Sequence, residues 1–333
     1  MKTKPKHKRK SKLPLVFVLI PILILLFVST GYAVDLYRKA TLLEEKAHQP
    51  LQRGEVSPMR AKAEEPAPDT ERFSVLLMGV DDSELRQKQY GEAVRTDALL
   101  LATFNGEEHS VKLVSIPRDS YVYVPVEKKK DKINHAHAFG GVDATVETVE
   151  RLLDVPVDYY VKVNFTAFMQ IVDALGGVEV DVPIAITEQD SKDRPRAIKL
   201  KKGLQTLNGE EALALVRTRK MDSDMERGKR QQLVLEAIFH KALSIGSVPK
   251  YGALLEALGD NLKTNLRLQD LEAFYQFAKG RELTIEKLQL QGRNMTLDQI
   301  YYYQLDELAL EEIRQSLKEH LGLTSASSSR SAS

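Results

Sequence analysis

Between residues 73 and 321 the spacing of apolar positions changes repeatedly. Short runs rich in β-branched and aromatic residues at 73–78, 98–104, 110–116, 121–124, 159–163 and 178–182 read as strands, and 283–290 reads as one more. Helical spacing takes over at 141–153, 164–175, 208–216, from 224 to about 242, at 268–278 and at 306–321. In the second of these, Asn164 stands where an N-cap belongs and Phe165, Phe168, Ile171, Val172 and Leu175 form one apolar stripe. Gly176-Gly177 then ends the helix. The pattern predicts one α/β (α+β-like) domain over 73–321, with a central mixed β-sheet covered by helices. No internal repeat is visible.

A different pattern precedes this domain. Residues 13–34 carry no charge and hold about 20 residues apolar enough to span a bilayer, with Pro21 tolerated in such a helix. Residues 1–12 carry Lys2, Lys4, Lys6, Lys8, Arg9, Lys10 and Lys12 and no acid, a flank that stays in the cytoplasm by the positive-inside rule. The expected layout is a basic cytoplasmic tail (1–12), a transmembrane signal anchor (13–34), an extracytoplasmic stalk (35–72), the domain (73–321) and a low-complexity disordered tail (322–333). That makes a single-pass protein of the cell membrane, type II, with its C-terminal domain outside the cell. A cleavable signal peptide is the competing reading, since Gly31-Tyr32-Ala33 is a small-x-small site. The apolar run is longer than a signal core, which favours the anchor.

Composition narrows the chemistry. The chain has 333 residues and no cysteine, which excludes disulfides, thiolate zinc sites and a cysteine nucleophile. The formal charge is +1, from 48 basic and 47 acidic residues. The seven basic residues of the first twelve account for more than that, so residues 13–333 carry 1 − 7 = −6. A generic nucleic-acid binder would carry a basic domain instead.

Against this acidic background the arginines cluster. Arg95 precedes Asp97, Arg118 precedes Asp119 in Ser-Ile-Pro-Arg-Asp, and Arg217-Thr218-Arg219 leads to Asp224, Arg227, Arg230 and Gln231. Guanidinium forks match phosphate oxygens, and nearby carboxylates are hard ligands for Mg2+. Together they predict a compact diphosphate–Mg2+ site. Pro117 restricts the backbone that aims Arg118. Arg217 and Arg219 point the same way if the chain is extended there and diverge if it is helical. Asp224, Arg227 and Gln231 share one helix face, continued by Leu235 and Ile238. Asp81, after the first strand, reads either as a turn aspartate or as a ligand group at a strand end. Asp97 alone reads as an ordinary salt bridge.

Other features rank lower. His135 and His137 form an H-x-H pair with no third metal ligand in view. Residues 128–130 are three lysines read as a solvated loop, and the tyrosines at 301–303 as packing.

In order along the chain come Met78-Gly79-Val80-Asp81, Arg95-Thr96-Asp97, Ser115-Ile116-Pro117-Arg118-Asp119, Lys132-Ile133-Asn134, Val172-Asp173-Ala174-Leu175-Gly176-Gly177-Val178, Leu207-Asn208-Gly209, and Arg217-Thr218-Arg219 through Arg227 to Arg230-Gln231-Gln232. By this ordered set the chain resembles the LytR–CpsA–Psr family of cell-wall glycopolymer transferases, strongly over 73–245. The resemblance implies an extracytoplasmic phosphotransferase. It would move a glycopolymer phosphate, such as teichoic acid, from a polyprenyl-diphosphate carrier to a peptidoglycan hydroxyl and release polyprenyl phosphate. It also implies an apolar tunnel for the prenyl chain beneath the sheet. By the same resemblance Asp81 and Asp97 match the Mg2+-linked aspartates. Arg95, Arg118, Arg217, Arg219, Arg227 and Gln231 match the diphosphate-binding set, and Asp224, Arg118 and Arg219 the catalytic one, with Asp224 assisting the acceptor hydroxyl. The chain departs from the family where an arginine often follows the first aspartate; here Asp82, Ser83, Glu84 and Leu85 intervene before Arg86. A non-catalytic binder of prenyl-diphosphate lipid or wall polymer shares the arginines but needs no base. A transcription regulator is opposed by the topology and the acidic domain.

Overall fold

Strand β1 (Arg72–Val80) lies at the heart of a mixed sheet. The computed structural model of the chain describes residues 34–60, 72–81, 94–218, 224–244, 258, 261–278 and 283–323. Beside β1 run β2 (Thr96–Asn105), antiparallel to it, and then β3 (Ser110–Ser115), antiparallel to β2. A hairpin of β4 (Tyr121–Val124) and β5 (Lys129–Lys132) follows. On the other flank β6 (Tyr159–Asn164) pairs parallel to β1. Two further antiparallel pairs lie outside the main sheet: β7 (Val178–Val182) with β10 (Gly203–Leu207), and β8 (Ile186–Glu188) with β9 (Ile198–Leu200). Strands β11 (Leu262–Thr264) and β12 (Thr284–Gln289) close the two edges, giving the order β11-β6-β1-β2-β3-β12. A last hairpin joins β13 (Gly292–Leu297) and β14 (Ile300–Leu305). Strand β4 falls where the sequence predicts it, but its partner β5 and the pairs β8–β9 and β13–β14 were not expected, because their runs are short and rich in polar residues.

The period-2 alternation of the central strands divides their side chains between two cores. Leu76, Met78, Leu99, Leu101 and Val114 face one cluster. It is completed by Val142, Val146 and Val149 of helix α1 (His135–Leu153) and by residues of the C-terminal segment. Phe73, Val75, Leu100, Phe104 and Leu113 face the other. On that side lie α2 (Phe165–Ala174), α3 (Gly209–Arg217), α4 (Asp224–Ser244) and α5 (Leu268–Ala278), whose Phe274 packs edge-on against Phe73 at 4.7 Å. Helix α6 (Glu307–His320) returns to the first face with Leu310 and Leu317 buried.

The Asn164 cap is as the sequence predicts, and the structure adds one at Asn208. The Asn164 side chain accepts from the Ala167 N–H at 2.9 Å, and Asn208 forms a reciprocal capping box with Glu211. Gly177, at φ 87°, turns the chain out of α2 where a Cβ would meet the Leu207 carbonyl at 3.0 Å. Helix α1 starts earlier than the apolar period predicts. A turn at 135–139 joins it across Gly140 and Gly141, whose φ/ψ values are not helical.

Residues expected to form a stalk contribute to the core. The chain is helical over 34–47, and Leu43 and Ala47 pack on Ala167 while Leu51 enters the α1 cluster. Ser57 Oγ and Arg53 donate to the buried Glu150, and Arg60 holds the buried Asp158. The polar composition hid this packing, because it depends on a few apolar side chains and on carboxylates waiting elsewhere in the fold. Residues 1–33 and 324–333 lie outside the described residues, and with them the expected cytoplasmic tail, nearly all of the anchor and most of the C-terminal tail. Among the described residues no helix is long and apolar enough to cross a membrane.

His320, in the last turn of α6, has Nδ1 2.8 Å from Thr103 Oγ1 and Nε2 2.9 Å from Ser110 Oγ. Burial, aided by the Lys112 charge, pushes its pKa down to about 4 from 6.5. The unfolded chain therefore takes up a proton below pH 6.5 that the fold refuses until about pH 4. Stability should fall as pH drops through that window, by up to about 3 kcal/mol. His320→Gln should flatten this part of the profile in urea unfolding; an unchanged slope would assign the pH dependence to carboxylates alone.

Candidate functional site

The ends of β1, β3 and β6 and the start of β2 meet at one edge of the sheet, which is where open α/β sheets collect ligand groups. Asp81 follows β1 directly. Asp97 owes its position to a bulge. Gly79 pairs with Ala98 and Val80 with Thr96, so Asp97 has no partner across the ladder and is re-aimed toward the sheet edge. Gly79 permits the close approach, since a Cβ there would lie 3.2 Å from that of Ala98.

Arg118 sits in the turn after β3, closed by Ser120 N–H donating to the Pro117 carbonyl at 3.0 Å. Its own carbonyl accepts from Asn134 N–H at 3.1 Å, and that of Asp119 from Tyr303 N–H at 2.8 Å. The turn is thus tied on both sides, which fixes the direction of the guanidinium. One Arg118 nitrogen donates to Asp97 Oδ1, and Nε lies 3.5 Å from Asp119 Oδ2. Lys132 Nζ holds the other Asp119 oxygen at 3.0 Å. Burial would raise the Asp119 carboxyl, but Arg118, Lys132 and Arg227 outweigh it and hold its pKa below the usual value.

Arg227, on α4, is 5% exposed and donates from Nη2 to the Asp97 carbonyl at 3.4 Å. Arg217 is the last residue of α3, with Thr218 extended after it (φ −57°, ψ 137°). Its guanidinium lies 4.8 Å from the Phe165 ring centre and 4.0 Å from Asp193. Arg95 is exposed at the same rim. Arg219 and the side chain of Asp224 lie outside the described residues.

These groups surround the mouth of one cavity of about 740 Å³. Arg227, Gln231, Leu235 and Ile238 line it in that order along one face of α4, so the face changes from polar to apolar with depth. Leu77, Ala98, Leu100 and Val161 form the sheet wall, and Phe168, Ile171, Ala214 and Val216 the opposite one. The cavity is therefore amphiphilic along its length, with a cationic opening and a hydrocarbon interior. Arg230 and Gln232 play another part. Arg230 is buried and donates to the Leu215 and Thr218 carbonyls, latching α4 to α3. Gln232 bridges the Leu113 and Leu288 carbonyls of β3 and β12 at 2.8 Å.

Asp119, Lys132, Asn134, Glu188 and Gln189 also line the cavity, although none of them had been assigned a role of its own in the site. The first three stood in the Ser-Ile-Pro-Arg-Asp and Lys-Ile-Asn segments, and that adjacency was the available signal. The H-x-H pair does not converge. His135 Nδ1 lies 3.1 Å from Asp131, while His137 Nδ1 donates to the Val94 carbonyl at 2.7 Å and burial lowers its pKa. The lysines at 128–130 form the end of the turn and the first residues of β5 rather than a loop, with Lys128 left-handed at φ 52°.

Among the described residues no group of three or more acidic or histidine side chains gathers in a way that would hold a metal alone. Asp81 and Asp97 both line the mouth, where a metal that shares its coordination with a bound anion would meet carboxylate oxygens.

Comparison with known proteins matches the LytR_cpsA_psr family over residues 34–319. The polyisoprenyl-teichoic acid–peptidoglycan teichoic acid transferase TagT of Bacillus subtilis (strain 168) is 43% identical over 305 residues, 91% of this chain and 93% of that one. A solved structure of TagT bound to LI-WTA superposes with a TM-score of 0.69 at 42% identity, covering 83% of this chain and all of the other. A further one, the LytR-CPS2A-psr family protein YwtF (TagT) with bound octaprenyl pyrophosphate lipid, gives 0.64 at 39% identity, covering 83% of this chain and 100% of that one.

Proposed function

The chain belongs to the LytR_cpsA_psr family, and on that footing we propose that it is a glycopolymer–peptidoglycan phosphotransferase acting outside the membrane. The donor is a polyprenyl-diphosphate-linked polymer of the teichoic acid class, and the acceptor a peptidoglycan hydroxyl. One observation carries the reading: a single cavity joins a cationic mouth to an apolar interior, the two halves of a prenyl diphosphate. The relatives' names and bound lipids support it.

The chemistry follows from the placement. The prenyl chain fills the space between the sheet wall and Phe168, Ile171 and Ala214, excluding water from below. Arg118, Arg217, Arg227 and Arg95, with Gln231, take the non-bridging oxygens, and Arg219, two residues beyond Arg217 in sequence, is assigned to the same set. The acceptor oxygen attacks the phosphorus that bears the glycan. The bond to the bridging oxygen breaks, and its electron pair leaves on prenyl phosphate, where the arginines stabilise it. Asp224, at the start of α4, takes the hydroxyl proton as that bond forms. Asp81 and Asp97 fit Mg2+, which typically takes one or two carboxylates and completes its shell with phosphate oxygens and water. When bound, it supplies further charge neutralisation at the diphosphate. Asp97 would hold the metal with a carboxylate that also accepts from Arg118, so the cation and the arginine would neutralise one anion together.

The test is transfer by the full chain in detergent, using lipid-linked donor and peptidoglycan oligomers, with Mg2+ or with chelator. Phosphodiester product and free polyprenyl phosphate are expected, with a large drop on chelation. Tight donor binding without product would leave a binding module instead. The N-terminal anchor belongs to the same proposal, because residues 34–47 lead from the apolar run into the domain.

A further inference from the structure

Resting on the function proposed above, we infer that the β8–β9 loop is a subsite for the phosphodiester repeats of the donor polymer, beyond the diphosphate. Residues 188–202, from the end of β8 through the loop and β9 to Lys202, hold six basic and three acidic side chains, a net +3 in which the loop itself and the β9 side of the hairpin share, within a chain that is otherwise acidic after its first twelve residues. Lys192, Arg194, Arg196 and Lys199 are all exposed. Among the described residues no carboxylate pairs with Lys192, Arg196 or Lys199, whereas Arg194 is held by Asp190 at 2.5 Å.

A solvated basic loop has no reason to be rigid, and this one is tied down. Asp190, 3% exposed, accepts from the Lys192 and Arg194 N–H groups at 3.0 Å and donates its own N–H to the Arg194 carbonyl at 3.3 Å. Ser191 N–H donates to Glu210 at the start of α3 at 2.9 Å. Thr218 Oγ1 donates to the buried Glu188 at 2.7 Å, which binds the root of the loop to the segment that follows Arg217. Pairing of Thr187 with Lys199 completes the frame. Cations held on a fixed frame lose little entropy on meeting a ligand.

The loop also adjoins the reaction site. Glu188 and Gln189 line the cavity, and Asp193 lies 4.0 Å from Arg217 at its mouth. A polymer whose diphosphate end is seated among the arginines must leave past this rim. A chain with a phosphate in every repeat meets successive cations there, whereas a neutral polysaccharide gains nothing from them. The loop thus selects phosphodiester polymers and acts on binding, not on the chemical step.

The test compares the full chain with the combined Lys192→Gln, Arg196→Gln, Lys199→Gln variant. One probe is a lipid-free poly(glycerol phosphate), measured by direct binding in low and high salt. A second comparison uses lipid-linked donors with and without phosphodiester repeats. The expected result is about tenfold weaker polymer binding, from three exposed ion contacts of modest strength, with a reduced salt dependence. KM for the long donor should rise while kcat and the short donor's KM stay put. Equal effects on both donors, or none on polymer binding, would overturn the subsite. If the wild type transfers neither donor, the transferase reading fails, yet the binding comparison still decides whether the loop holds the polymer.

Discussion

Arg118→Ala should lower transfer about a hundred- to a thousandfold, the loss typical of removing one preorganised donor from a developing oxyanion. The structure gives the reason that this arginine outranks its neighbours. Arg95 is exposed, and Arg217 ends a helix with one ring and one distant carboxylate to steady it. Arg118 instead occupies a turn held at both of its carbonyls, with its head between Asp97 and Asp119. The fold should survive, because Asp119 keeps Lys132 and the backbone bonds of the turn do not involve the side chain. With a large opposing charge gone, the Asp119 carboxyl should titrate closer to its ordinary range. Arg118→Lys retains the charge but loses the fork, so partial recovery is expected. The measurement is single-turnover transfer with saturating donor, alongside thermal unfolding. Turnover at the wild-type rate in a folded Arg118→Ala protein would remove the arginine clamp from the mechanism.

The sequence made much of this visible for a physical reason. Helices α2 and α3 announce themselves through Asn164 and Asn208, whose caps depend only on residues three positions away. The face of α4 is local too, so Arg227, Gln231, Leu235 and Ile238 could be aligned before any fold was known. The central strands were legible because each buries a dense apolar run. Features that depend on distant partners were not. The Asp97 bulge appears only when β1 and β2 are paired, and the packing of 43–60 only when Glu150 and Asp158 are in place. Strand β5 carries only lysines and an aspartate, and alternation cannot be read from residues that are polar on both faces. The cavity itself was not read from spacing. The resemblance implied a tunnel, and its walls are formed by the alternate residues of strands whose other faces fill the opposite core.

Those walls set the second large effect. Ala98→Trp should abolish binding of long-chain prenyl diphosphates while leaving the protein folded. Ala98 lies beside Asp97 at the mouth end, and its small side chain faces the cavity between Leu77 and Leu100. An indole placed there enters open space, so it need not displace the core, yet it blocks the path from the arginines to the interior. Each carbon kept out of the apolar site forfeits about 0.8 kcal/mol, so each five-carbon isoprene unit excluded costs about 4 kcal/mol. One unit already weakens binding by nearly three orders of magnitude, and blocking the entrance excludes several. Inorganic pyrophosphate needs only the mouth, so its binding should change far less. That contrast separates an occluded tunnel from a damaged anion site. If Ala98→Trp binds long-chain lipid as the wild type does, the hydrocarbon does not run through this cavity, and the amphiphilic path loses its claim to the donor. If pyrophosphate and lipid binding fall together, the substitution has disturbed the Asp97 bulge, and Ala214→Trp on the opposite wall becomes the cleaner obstruction.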